Sequence, residues 1–167
     1  IKNCSFLWLD NLIMQGRIKM EQLISLYERL KDNGVMVFEQ PLMFNNPETK
    51  SVTMLLKHTE NWGIFIDTSR IDTLAEEKVI LAHECGHYET GTTHEVCSPL
   101  DLIEKHEYKA NKWEIKHLIS EEELDEAIAN GYTEIWSLAE YFDVTEDFMK
   151  KVVCWYTYGN LDTELYF

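Results

Sequence analysis

The chain has 167 residues, 45% of them hydrophobic and 27% charged, which is enough to bury one core without disulfide or metal staples. Thirty acidic against fifteen basic residues leave a formal net charge of −15, and that field repels phosphate backbones and anionic lipid surfaces. Direct nucleic-acid and membrane partners are therefore not expected; a basic protein would be attracted, although most acidic surfaces are simply solvated.

Residues 1–19 read as an N-terminal extension, because Met20 offers a natural start. Their apolar run at 4–9 is cut by Asp10 and is followed by no small-residue cleavage site, so neither a signal peptide nor a membrane span is expected there. No other stretch approaches the roughly twenty apolar residues of a transmembrane helix. Cys4, Cys85, Cys97 and Cys154 lie far apart with no Cys-x-x-Cys pairing, which fits reduced thiols in a cytoplasm.

From Met20, the residues Met20, Leu23, Ile24, Tyr27 and Leu30 recur at helical spacing, and Asn33-Gly34 supplies a left-handed stop. Three β-like runs follow, at 35–39, 51–57 and 63–67, separated by turn-forming segments; a small, largely antiparallel sheet is expected. The remainder is helical. Capping pairs mark three helix starts: Thr73 with Glu76, Ser98 with Asp101 (Pro99 at the first helical position) and Ser120 with Glu123. Gly131 ends the third of these helices. Two shorter helices, 134–142 and 146–158, close the chain, the second begun by Thr145. The expected class is α+β.

Within the first capped helix lies His83-Glu84-Cys85-Gly86-His87, the His-Glu-x-x-His pattern. At about 100° per residue, four residues return to nearly the same face, so His83 and His87 can present imidazole nitrogens to one metal ion. Glu84 lies beside that face, placed to take a proton from a water and return it to a leaving amine, and badly placed to act as a ligand. A surface helix can carry these residues by chance, but free histidines and a glutamate on a well-packed helix are costly without partners. Cys85 should face the core.

Catalytic zinc usually takes three protein ligands, so one is missing. One arrangement places a third His six residues after the second, but that position is Thr93, and His94 comes one residue late. Another takes a glutamate from a following helix, where Glu104, Glu107 and Glu114 are on offer. Asn111, four residues beyond Glu107, could hydrogen-bond a ligand imidazole from behind. Tyr88 and His94 are the candidates for stabilising an oxyanion.

The His83–His87 motif, the Tyr88-x-x-Gly91-Thr92 extension and the segment Glu107-x-x-Ala110-Asn111-x-Trp113 together resemble the ImmA/IrrE-like metallo-endopeptidases of phages and mobile elements. The resemblance runs from about Met20 to the C-terminus. It implies a zincin-like fold with a catalytic core over 20–118 and a helical region over 119–167 packed on it. It also implies one catalytic Zn2+ on His83, His87 and Glu107, Glu84 as base, and a helix-turn-helix repressor as substrate. Glu114 stands where the family often has alanine, and His117-Leu118-Ile119 where it often has Leu-Met-Pro; these departures are expected to touch packing or substrate choice and to leave the ligand set alone.

Residues 134–156 also have helix-turn-helix spacing, but the second helix opens with Glu146 and Asp147 and carries only Lys150 and Lys151, a poor match to phosphate. Packing of Trp136, Leu138, Phe142, Phe148 and Val152 into a helical core is expected instead. A binding module that holds a basic repressor without cleaving it is the competing functional reading. For the peptidase, the strand at 63–67 is expected to align an extended substrate by edge pairing.

Overall fold

The computed structural model describes residues 20–43, 49–56, 61–92 and 99–161. The expected extension at 1–19 and His94 lie outside them. The class is α+β, in the zincin-like arrangement: a first helix, a three-stranded sheet, the helix bearing the two histidines, and further helices after it.

Helix α1, residues 20–32, buries Leu23, Leu26 and Leu30, while Met20 and Ile24 stay exposed, so its buried stripe is centred one position from the expected one. Gly34 at φ +72 stops it, and the amide of Val35 returns to the carbonyl of Leu30 at 2.9 Å. Strands β1 (Met36–Glu39), β2 (Ser51–Leu56) and β3 (Asn61–Ile66) stand in the order β1-β3-β2. β3 pairs antiparallel with β2 and parallel with β1, so the sheet is mixed. β2 and β3 join as neighbours in sequence, and the chain between β1 and β2 crosses over to leave β1 on the far side of β3.

Register decides which strand residues meet the helices. Ser51 pairs with Ile66 and Thr53 with Ile64, and cross-strand partners share a face. Ile64 and Ile66 are fully buried, so this face lies against the helical layer. On the opposite face Phe38 stacks on Phe65 with ring centroids 4.8 Å apart.

α2 (Leu74–Thr90) starts at Thr73, whose hydroxyl accepts from the amide of Glu76, and stops at Gly91 in the left-handed region. α3 (Leu100–Leu118) begins one residue later than expected: Pro99 is its N-cap and makes no side-chain cap bond. The Ser98 cap lies outside the described residues. α4 (Glu121–Ala129) opens with the full Ser120–Glu123 capping box, and α5 (Ile135–Phe142) and α6 (Glu146–Tyr158) follow. Leu138, Phe148 and Val152 are buried with residues of α1, α2, α3 and α4 in one apolar cluster, but Trp136 is 59% exposed and leaves the expected stripe.

Lys78 is buried in that interior, its ammonium donating to Gln22 Oε1 at 3.2 Å and to the carbonyl of Phe142 at 3.0 Å, with Asp143 Oδ2 at 3.7 Å. It ties α2 to α1 and to the α5–α6 turn. No helix among the described residues is long and apolar enough to cross a membrane.

Candidate metal centre

α2 and α3 carry the centre. Gly86 faces Ala110, and an added Cβ at Gly86 would fall 2.7 Å from the Ala110 carbonyl oxygen. The absence of a side chain thus allows the two backbones to touch. Glu107 lies three residues before this contact on α3 and Glu114 four after; His83 lies three before it on α2 and His87 one after. The close approach brings all four together.

His83 Nε2 and His87 Nε2 are 3.1 Å apart. Glu107 sends Oε2 to within 3.2 Å of the first and Oε1 to within 3.4 Å of the second. Four ligand atoms around a tetrahedral ion with bonds of about 2.0–2.1 Å stand about 3.3–3.4 Å from one another. The span between the two nitrogens is close to that edge length, the two spans to Glu107 end on different oxygens, and one ligand atom from each of the three residues lies within 4.8 Å of the others; these residues form the one cluster among the described residues that could hold a metal ion.

The electrostatics follow from the crowding. Burial works to lower the pKa of His83, but hydrogen bonds to Glu107 and Glu114 outweigh it and push it up to about 10. Hydrogen bonds from His83 and His87 hold the Glu107 carboxyl well below the usual carboxylate range against the opposing pull of burial.

Each imidazole is gripped from behind at Nδ1. For His87 the partner is the carbonyl of Thr92 at 2.7 Å; a carbonyl only accepts, so Nδ1 carries a hydrogen and Nε2 faces His83 and Glu107. For His83 the partner is Glu114 Oε2 at 3.3 Å. Asn111, expected in this role, instead accepts from Lys151 Nζ at 3.0 Å. Four residues beyond Glu107 point along α3 toward α6, while seven residues, two full turns, return to the imidazole. Glu114, expected to matter for packing or substrate choice, therefore touches the centre itself.

Glu84 is 5% exposed. Ser51 Oγ donates to its Oε1 at 2.6 Å, and Thr53 Oγ1 donates to its Oε2. Both hydroxyls come from β2, which with His83, Glu84, His87 and Glu107 lines a cleft of about 500 Å³. Sequence reading missed Ser51 and Thr53; the only signal was two hydroxyl residues at alternate positions of a strand, which does not reveal what they face.

Tyr88, one residue and a 100° step beyond His87, packs edge-on against Trp62 with centroids 5.7 Å apart. One other expectation is corrected. The strand at 63–67 is not an edge: β3 is paired on both sides, so its backbone has no free ladder to offer. Cys85 is fully buried, as its helical position requires.

The family model Peptidase_M78, an IrrE N-terminal-like domain, matches residues 30–152. No curated protein and no solved structure matches the chain at a significant level.

Proposed function

Since the chain belongs to the IrrE N-terminal-like family of peptidases, we propose that it is a zinc-dependent endopeptidase working in the cytoplasm, with His83, His87 and Glu107 as ligands and Glu84 as general base. The observation that carries this reading is the convergence of two imidazole nitrogens 3.1 Å apart and one carboxylate, with one ligand atom from each residue within 4.8 Å of the others. Two nitrogens and an oxygen suit zinc, a borderline ion that accepts both donor types in a tetrahedral set.

Such an ion supplies Lewis acidity, easing both the deprotonation of a water and the polarisation of a peptide carbonyl. The remaining work falls to the chain. Glu84, held at both oxygens by Ser51 and Thr53, takes the proton from the attacking water and delivers it to the leaving amine. Among the described residues β2 is an outer strand beside the cleft, so an extended substrate pairs along it and lays its scissile bond across Glu84.

The substrate of a peptidase is a protein or peptide. A helix-turn-helix repressor is the substrate implied by the resemblance to the phage and mobile-element enzymes, and the net charge of −15 would attract a basic protein of that kind.

The test measures bound zinc and repressor cleavage together in wild type, Glu84→Gln and Glu107→Ala, with folding followed by circular dichroism. Wild type and Glu84→Gln are expected to hold about one zinc, Glu107→Ala to lose most of it, and only wild type to cleave. A reconstituted wild type without metal sinks the peptidase reading. Capture of repressor that survives Glu84→Gln, with no cleavage by wild type, makes the chain a binding module instead.

A further inference from the structure

Glu114 is a buried group to which the proposed reaction gives no task. It is 1% exposed and sits two turns beyond Glu107 on α3, within about 20° of the same face. Its Oε2 approaches His83 Nδ1 at 3.3 Å, while its Oε1 is buried and meets no hydrogen-bond donor among the described residues. A carboxylate with an unanswered buried oxygen is a costly way to fill space, and an apolar side chain of similar size would fill it without that penalty. Stability does not explain a carboxylate here.

We propose that Glu114 is a positioning residue for the metal, accepting the Nδ1 hydrogen of His83 and so presenting the Nε2 lone pair to the point shared with His87 and Glu107. A cation that binds at Nε2 displaces the proton there, leaving one ring hydrogen that an acceptor at Nδ1 holds in place. The carbonyl of Thr92 does the same for His87 at 2.7 Å. Both rings are thus oriented from behind, His87 by a backbone carbonyl and His83 by a side-chain carboxyl group. Glu107 and Glu114 divide the work on His83 between its two nitrogens, at 3.2 and 3.3 Å.

This inference rests on the metal-site reading, and its test keeps the two apart. Zinc affinity is measured by competition with a chromophoric chelator for wild type, Glu114→Gln and Glu114→Ala, alongside thermal unfolding of each metal-free protein. Glu114→Ala is expected to bind zinc about 10–100-fold more weakly while its metal-free unfolding temperature holds or rises. Glu114→Gln keeps an acceptor oxygen in nearly the same shape and should recover part of the affinity. Wild-type affinity in Glu114→Ala overturns the role, as does a parallel fall of zinc affinity and metal-free stability in both variants, which marks a merely structural residue. A wild type that holds no zinc overturns the metal-site reading and this inference with it.

Discussion

Gly86 and Ala110 stand in backbone contact: a Cβ added to Gly86 would lie 2.7 Å from the carbonyl oxygen and 3.0 Å from the Cα of Ala110. Neither atom can move without moving α3. Gly86→Ala is therefore expected to destabilise the protein by about 1–3 kcal/mol, the usual cost of overpacking, and to weaken zinc binding because Glu107 retreats with α3. Gly91→Ala is the control. It strains a left-handed cap at φ +63 but has open space around it, so it should lower stability with a smaller loss of zinc. Denaturant unfolding and zinc titration of both variants decide the matter; equal zinc affinity in Gly86→Ala and wild type would refute the close-approach argument.

The two hydroxyls on Glu84 offer a way to separate the proposed proton transfer from metal binding. Ser51→Ala combined with Thr53→Val removes both donors from a carboxylate that is 5% exposed. Leaving such a group unsatisfied costs roughly 1–3 kcal/mol, and the base loses its fixed orientation. Turnover should fall sharply while zinc stoichiometry stays at the wild-type value. A double variant that turns over at the wild-type rate shows that Glu84 needs neither hydroxyl.

Asp67 supplies a pH signature away from the metal. Its carboxylate accepts from the Ser69 hydroxyl, the Leu42 amide and Arg70, and these contacts hold its pKa below the ordinary carboxylate value, with the Ser69 bond the largest cause. A depressed folded-state pKa contributes stability that is present above the unfolded value of about 3.9 and lost as pH falls through the lower folded value. Denaturant midpoints measured from neutral pH downward should show this acid loss in wild type and a shallower one in Asp67→Asn. Identical acid limbs would remove Asp67 from the account.

Cys85 should be chemically silent in the native fold. Its thiol is fully buried, and burial, reinforced by Glu89, pushes its pKa up to about 12. Iodoacetamide at pH 8, with sites mapped by mass spectrometry, should label Cys85 only after denaturation. Rapid native labelling would mean that α2 opens locally.

What the sequence made legible was short in range. His83 and His87 could be placed on one face from four residues of spacing, and Thr73, Ser120 and Thr145 cap the helices they were expected to begin. What stayed hidden needed tertiary information. The order β1-β3-β2 depends on a crossover, so among the described residues the outer places fell to β1 and β2 and not to the strand at 63–67. Ser51 and Thr53 meet Glu84 across more than thirty residues of chain. Within α3, choosing Glu114 over Asn111 as the partner of an imidazole requires the depth at which α3 crosses α2, which Gly86 sets and no spacing rule contains.

The pairing of Thr53 with Ile64 has a chemical side as well as a structural one. A strand that slips by a single residue turns every side chain to the opposite face. Such a slip in β2 would send Val52 toward Glu84 and point both hydroxyls away, leaving a bare carboxylate against an apolar wall. An error of 3.3 Å or so in strand assembly would therefore leave the candidate ligand cluster intact and strip the proposed base of its hydroxyl partners. Folding fidelity in a three-stranded sheet thus becomes a condition for the proton transfer proposed for the helix beside it.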